Sequence, residues 1–455
     1  MKTDLRDAVF SSPSRRCVLQ PLETVLLQGM REDSITIQPL AQPVNATVTP
    51  PGSKSYTNRA LPIAALATGV SVISGALFSD DTRYMAQALR QLGIDVLEDE
   101  RAQTFTVTGT GGKLQPSSAP LFIGNSGTSA RFLTPLVALG NSEYVIDGVP
   151  AMRKRPIGPL TDALNALGGF VTASDTGCPP LQIRASGIRG GRYAIRGDLS
   201  SQYLSGLLMS APYFAQGLEL TVIGELVSQP YLQVTGQTMG AFGVPMKIAP
   251  DFSSFAVAAG RYSPAAYPVE PDASAASYLF AAAAITGGRV TVPGLGTNSL
   301  QGDLNFVHVL KQMGCEVTMD AAQTTVVGPA TLRGVTVDMS QISDTAQTLA
   351  AVAVFADSPT RVTGIGFIRA KETDRVAAVV TELQRLGINA VEEADGFVIQ
   401  PGVTRAAFVQ TYDDHRMAMS FALIGLRYAG VAILEPACVG KTFPAYWYVL
   451  ESLRG

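Results

Sequence analysis

Apolar residues recur at helical spacing in five segments, residues 87–96, 162–171, 237–246, 308–317 and 381–390, and each stripe ends at a glycine followed by strand-like alternation. The glycines are Gly93, Gly168, Gly243, Gly314 and Gly387, which sets steps of 75, 75, 71 and 73 residues. One helix-to-strand turn of this kind belongs to any α/β protein, whereas five at near-constant spacing indicate a repeat. Each glycine is expected in left-handed backbone just beyond a helix C-terminus, a conformation that strains other residues. A sixth helix is expected at Ala445 to Leu453.

Six α/β units suggest two pseudo-equivalent lobes of three. The proline-containing stretch Tyr267 to Asp272 predicts one crossing between them, and the extended stretch Ser34 to Val48, ahead of Pro50-Pro51, the second. The expected division is an N-terminal extension at 1–32, a first lobe at 52–269, and a second lobe built from 33–51 with 270–455. Length agrees, since 455 residues exceed what one hydrophobic core organises.

Hydrophobic residues make up 46% of the chain and charged residues 16%, the balance of an ordered globular protein. The 34 basic and 37 acidic residues leave a net charge of -3, so no global positive field draws the protein to nucleic acid and any cation cluster acts locally. Cys17, Cys178, Cys315 and Cys438 stand far apart with no Cys-x-x-Cys, which speaks against a disulfide framework or zinc site and for a reducing cytoplasm. With His308 and His415 the only histidines, a histidine-rich metal centre is excluded. The uncharged stretch Ala60 to Phe78 is interrupted by Pro62, Gly69 and Gly75, so it reads as buried helix then strand and no membrane span is expected. The N-terminal residues lack an apolar signal core, and Asp4, Asp7 and Glu23 are out of place in a transit peptide.

Candidate chemistry gathers at helix starts. Pro51 to Arg59 opens with Pro-Gly turn chemistry and runs into helical Ala60-Leu61-x-x-Ala64, which puts Lys54, Ser55 and Arg59 around a helix N-terminus. Cations there oppose the helix dipole at a cost of up to about 1 kcal/mol, so an anionic ligand accounts for them better than capping does. The string is no P-loop, because Ser53 stands where glycine must precede the lysine; Gly440-Lys441-Thr442 fails too, with Glu435 in place of the first glycine. Gly124 to Arg131 follows apolar Leu121-Phe122-Ile123 and offers small residues such as Gly127 that let a ligand approach the backbone, although ordinary strand-turn-helix junctions look alike. Arg153, Lys154 and Arg155 precede a helix expected to open at Pro156, where a solvated charge run is the plain reading and an anion site the functional one. Ser200-Ser201-Gln202 and Ser228 to Tyr231 bring hydroxyls and an amide to two further helix starts, with N-capping the plain alternative.

Lys371-Glu372-Thr373-Asp374-Arg375 is the sharpest local signal. Read as a helix start, it sets Lys371 and Arg375 on one face with Glu372 beside them, so a carboxylate exchanges a proton while the cations hold a substrate. As surface ion pairs the same residues would contribute below about 1 kcal/mol. In Asp413-Asp414-His415-Arg416 neighbouring side chains diverge on a helix, so Arg416 as an anion ligand suits better than a metal triad. Asp344, in Ser343-Asp344-Thr345, reads either as a helix cap or as a general base.

Taken together and in order, at least eight of these strings resemble the 5-enolpyruvylshikimate-3-phosphate synthases, shikimate-pathway enolpyruvyl transferases, over residues from about 34 to 453. The resemblance implies a two-lobed inside-out α/β barrel, three repeats per lobe, with helix N-termini aimed at the cleft between lobes. It implies that the 5-hydroxyl of shikimate 3-phosphate adds to phosphoenolpyruvate and that phosphate is then eliminated, without metal or organic cofactor. A cytoplasmic monomer with no nucleic-acid or membrane partner is expected. By similarity, Lys54, Ser55, Arg59, Ser200, Ser201, Ser228, Tyr231, Asp344 and Lys371 would contact shikimate 3-phosphate. Gly127, Arg155, Arg375, Arg416 and Lys441 would bind phosphoenolpyruvate, and Lys54 and Gln202 would touch both substrates. Asp344 would accept the hydroxyl proton and Glu372 would protonate the methylene carbon, with Lys54 the third catalytic residue.

Two positions depart from the resemblance. Phe367 stands where many relatives carry an asparagine that contacts shikimate, and Phe132 follows Arg131 where many have proline or leucine. The second predicts altered sensitivity to glyphosate, the family's phosphoenolpyruvate-competitive inhibitor. Two rivals remain in view: a cell-wall enolpyruvyl transferase acting on UDP-N-acetylglucosamine, whose Lys-Asn pair and loop cysteine are missing around Lys54-Ser55 and Ala151 to Arg155, and a non-catalytic binder of a phosphorylated metabolite. Asp344 and Glu372 argue against the binder, since carboxylates do not help hold an anion.

Overall fold

The computed structural model describes residues 34–454, so the extension expected at 1–32 lies outside the described residues. The five turn glycines have φ between 83° and 106°. Each carries the same pair of bonds: the glycine N–H reaches back three residues and the following N–H five, as with Gly93 to Arg90 O at 3.0 Å and Ile94 to Leu89 O at 3.1 Å. Those bonds satisfy the last helix carbonyls in a Schellman turn and direct the chain into the next strand.

Among the described residues the strands form five four-stranded sheets and one of three strands. In the second unit, Leu121–Phe122 leads through the helix Gly127–Val137 to its parallel neighbour Glu143–Asp147. The helix Gly158–Ala166 then leads into the antiparallel pair Val171–Thr172 and Leu181–Arg184. The third and fifth units repeat this order. The crossing segments complete the others. Ala266–Pro268 pairs in parallel with Thr68–Ser74 of the first sheet, Asn45–Thr47 with Arg289–Pro293 of the fourth, and Ser34–Thr36 lies antiparallel to Val431–Leu434 in the sixth. The last helix runs Tyr446–Ser452.

Buried apolar side chains fall into two clusters, one from Tyr56 to Val269 and one from Ala273 to Leu453 joined by Ile37 and Val44. At the centre of each lie helices buried nearly all round: Lys54–Leu66, Gly127–Val137 and Ser201–Ser210 in the first, Ala273–Thr286, Ala346–Ala353 and His415–Gly425 in the second. A helix apolar on every face is stable only when enclosed, so the sheets sit outside and the helices inside. No helix among the described residues is long and apolar enough to cross a membrane.

Candidate active site

First residues of four of these central helices, those starting at Lys54, Gly127, Ser201 and His415, line a cavity of about 350 Å³ between the two clusters. Its walls carry eight lysine and arginine side chains against four carboxylates, which fits an anion of several charges. Every residue expected at the site lines it except Lys441, whose Nζ lies 3.6 Å behind Glu372 and 3.6 Å from Asp81.

On the first-lobe side, Ser53 occupies the N-cap of Lys54–Leu66 but its hydroxyl donates to Gln301 Oε1 at 2.9 Å instead of capping the helix, and Asp272 Oδ2 accepts from the Lys54 N–H at 3.0 Å. The Lys54 ammonium faces Asp81 at 3.7 Å. Burial lowers its pKa against the pull of Asp81, and Arg416 lowers it further. Arg59 is buried: Nε donates to Thr235 Oγ1 at 2.8 Å, Nη2 to Tyr231 O at 3.3 Å, and its guanidinium carbon lies 5.2 Å from the centre of the Phe132 ring. Ser200 caps Ser201–Ser210 by accepting from the Gln202 N–H, while the Gln202 amide donates to Thr128 Oγ1 at 3.3 Å. Ser228 adopts φ 56°, a left-handed turn ahead of the helix Pro230–Ala241 that carries Tyr231.

The Arg-Lys-Arg run separates. Arg153 pairs with Asp147 in solvent and Lys154 is exposed, so only Arg155 reaches the cavity, donating to Asn125 O at 2.9 Å and to Glu372 at 3.4 Å. The helix beyond begins at Gly158 with Pro159 in its first turn, not at Pro156, because Ile157 is its N-cap, at φ −139° with its N–H bonded to Gly177 O at 2.9 Å.

Asp344 does not cap its helix. Oδ1 accepts from Lys371 Nζ at 2.6 Å and from Arg375 Nη1 at 3.1 Å, and Oδ2 from Arg416 Nη2 at 2.8 Å. Burial would raise this carboxyl, but Arg416, Lys371 and Arg375 hold it well below the usual range. Glu372 accepts from Arg375 Nη2 at 2.8 Å and is also held low, burial being overcome by Arg155, Arg375 and Lys441. The expectation that Lys371 and Arg375 share a helix face is corrected. Asp374 accepts from the Val376 and Ala377 N–H groups and starts the helix at Arg375, so Lys371 and Glu372 project from the preceding loop.

Several residues at the site are not expected there from sequence, Asp414 and His415 entering only as members of a disfavoured metal triad. Asp81 reads as an acidic first-turn residue of Asp80–Gln91, Asp414 as an N-cap, and Glu372's neighbour His415 as core. In the structure Asp81 stands between Lys54 and Lys441, and Asp414 grips Arg375 Nε at 2.7 Å. Arg131 is buried with Nε and Nη1 unpartnered beside Arg155, and both His415 ring nitrogens also lack partners. Phe367 lines the cavity with its ring centre 5.6 Å from Lys371 Nζ, whereas Phe132 lies under Arg59 in the core. Among the described residues no group of histidine, cysteine, aspartate and glutamate is arranged to hold a metal.

Comparison with known proteins places this arrangement. The sequence model of EPSP synthase (3-phosphoshikimate 1-carboxyvinyltransferase) matches residues 40–450. The chain is 48% identical over 417 residues to a 3-phosphoshikimate 1-carboxyvinyltransferase of Nostoc punctiforme, covering 91% of this chain and 98% of that one. It is 44% identical over 448 residues to a chloroplastic 3-phosphoshikimate 1-carboxyvinyltransferase of Nicotiana tabacum, covering 94% and 86%. Among solved structures, EPSP synthase from Acinetobacter baumannii superposes with a TM-score of 0.78 at 25% identity, covering 92% of this chain and 98% of that one.

Proposed function

This chain belongs to the EPSP synthase family, and we infer that its cleft transfers the enolpyruvyl group of phosphoenolpyruvate to the 5-hydroxyl of shikimate 3-phosphate, releasing phosphate. The observation that carries the reading is the pair Asp344 and Glu372, two partly buried carboxylates joined through Arg375 in a cavity otherwise rich in cations.

Lys54, Ser55, Arg59, Ser200, Ser201, Gln202, Ser228, Tyr231 and Lys371 hold shikimate 3-phosphate in this reading. Gly127, Arg155, Arg375, Arg416 and Lys441, with Lys54 and Gln202, hold phosphoenolpyruvate, whose phosphate and carboxylate suit forked guanidinium donors. Asp344, held ionised by its three cations, is suited to take the hydroxyl proton as the oxygen attacks C2. Glu372 must deliver a proton to C3, yet its arginine partners hold it ionised. Phosphoenolpyruvate resolves this: its negative charges engage Arg155 and Arg375, weaken their hold on Glu372 and raise its proton affinity. Collapse of the tetrahedral adduct then expels phosphate toward the same cations.

The lobe boundaries at 52–269 and at 33–51 with 270–455, a cytoplasmic location and a monomeric state belong to the same proposal. So does altered glyphosate sensitivity, for which Phe132 acts through the Arg59 it underlies; an inhibition constant unchanged in Phe132→Pro would remove it. The decisive experiment is phosphate release from the two substrates together. Glu372→Gln and Asp344→Asn should each lower kcat by about 10²–10⁴. No release from the unaltered protein would overturn the assignment, and release undiminished in both variants would leave a cleft whose carboxylates play no part.

A further inference from the structure

Asp303 is a buried carboxylate to which the reaction above gives no task. It sits in the 3-10 turn Gly302–Asn305, 3% exposed, and its Oδ1 meets no partner. Its Oδ2 accepts a bond from Ser274 Oγ and lies 3.2 Å from the Tyr231 hydroxyl, which lies 3.2 Å from Asp344 Oδ2 as well. One phenol therefore bridges two carboxylates. A hydroxyl has a single proton, so it donates to one of them and bonds the other only by accepting that carboxyl's own proton. With both carboxylates ionised the chain of three side chains holds one proton where two would complete it. The vacancy is for one proton, the number the 5-hydroxyl surrenders.

We propose that Asp303 ends a proton relay, in which the proton that Asp344 takes from the 5-hydroxyl passes through the Tyr231 hydroxyl to Asp303. The proposal rests on the reading of Asp344 as the base. As the substrate O–H bond breaks, its electron pair forms the bond to C2 and its proton joins Asp344. Asp344 Oδ2 then hands a proton to the Tyr231 oxygen while Tyr231 gives its own to Asp303 Oδ2. Nothing is oxidised or reduced, and Asp344 is left charged opposite Arg416, Lys371 and Arg375.

The surroundings favour that direction of travel. Burial pushes the Asp303 carboxyl up to about 6, the Asp344 charge adds to this, and Asp272 pushes the same way, against Arg416 and the bond from Ser274. Asp344 is held well below the usual range by its three cations. The proton thus leaves the stronger acid for the weaker one. Asp303 touches no reacting atom and acts through Tyr231. Above about pH 6 it is empty and receptive, and below that pH it is already occupied, so kcat should fall as pH drops through about 6.

The test is kcat and both KM values against pH for the full chain, the Asp303→Asn variant and the Ser274→Ala variant. Asp303→Asn keeps the shape but takes no proton. It should lower kcat about tenfold or more, leave both KM values within about twofold, and lose the limb near pH 6. Ser274→Ala removes a bond that favours the ionised form, so its limb should move to higher pH. An active parent whose limb persists in Asp303→Asn with kcat within about twofold, or a limb unmoved in Ser274→Ala, overturns the relay. Changes confined to KM overturn it equally. A parent that releases no phosphate sinks the underlying assignment instead.

Discussion

Gly127 has no room for a side chain: a Cβ there would stand 2.3 Å from Arg131 Nη1 and 2.5 Å from Arg155 Nη2. Two guanidiniums thus converge over one α-carbon, and Arg131 brings unpartnered buried nitrogens to the same spot. Gly127→Ala must displace both, so the KM for phosphoenolpyruvate should rise about tenfold, a loss of about 1.4 kcal/mol of binding, while that for shikimate 3-phosphate stays within about threefold. Equal rises in both would remove Gly127 from the phosphoenolpyruvate side. His415 makes a different prediction. Burial, then the nearby Lys54 and Arg416, keep its pKa well below the ordinary value, so the folded protein leaves it neutral where the unfolded chain protonates it. The unfolded state then binds more protons below about pH 6.5, and stability falls as pH drops from there. Asp303, raised to about 6, acts in the opposite sense between about pH 6 and 4, and Asp344 and Glu372 lose their contribution only below about pH 4. Subtracting a His415→Asn variant isolates the histidine: from pH 7 to 5 the parent's Tm should fall more steeply. Parallel curves would mean that His415 is not held neutral.

Helix ends were the most legible elements, because Gly93 and its four counterparts combine a stripe, a left-handed residue and a fresh strand within ten positions. The Lys371 segment was less so: its spacing fits a helix face, but Asp374 captures the first N–H groups and the helix starts late. Glu382 was not legible at all. In sequence it is a helix residue three before Arg385, an ordinary surface pair, yet in the structure it is fully buried. One oxygen accepts from the Gln410 N–H at 3.0 Å and the other from the Tyr412 hydroxyl at 2.7 Å. Those bonds hold Tyr412 and Asp413 at φ 56° and 55°, a left-handed conformation that strains the tyrosine and that aspartate tolerates better. The loop so held delivers Asp414, which grips Arg375, and Arg416, which grips Asp344. Glu382 is therefore a positioning residue at a distance from the cavity. Tyr412→Phe should cost about 1 kcal/mol of stability and raise the KM for phosphoenolpyruvate more than it lowers kcat. A loss of stability with both kinetic constants unchanged would make the buried bond purely structural.

At the scale of the molecule, a chain with net charge -3 concentrates its cations where the two halves meet. Sequence patterns could place those cations in two groups, but contacts between groups depend on the closed geometry. The Asn125 carbonyl accepts from Arg155 of its own half at 2.9 Å and from Lys441 of the other at 2.6 Å, Arg155 reaches across to Glu372, and Asp81 reaches across to Lys441. The last three of these contacts, Lys441 to Asn125, Arg155 to Glu372 and Lys441 to Asp81, each join a residue of the first buried cluster's half to one of the second. Like charges from both halves repel in the cleft, so closure should depend on negative charge between them: the carboxylates supply part, and substrate phosphate the rest. Shikimate 3-phosphate should therefore contract the protein, expelling water and assembling both carboxylates around the hydroxyl. Small-angle scattering should show a smaller radius of gyration with that substrate than without it. Lys441→Gln, which keeps a donor for Asn125 but removes the charge facing Asp81 and Glu372, should contract less completely and show a raised KM for phosphoenolpyruvate. Identical dimensions with and without shikimate 3-phosphate would refute closure by the first substrate, leaving a cleft already assembled before either substrate arrives.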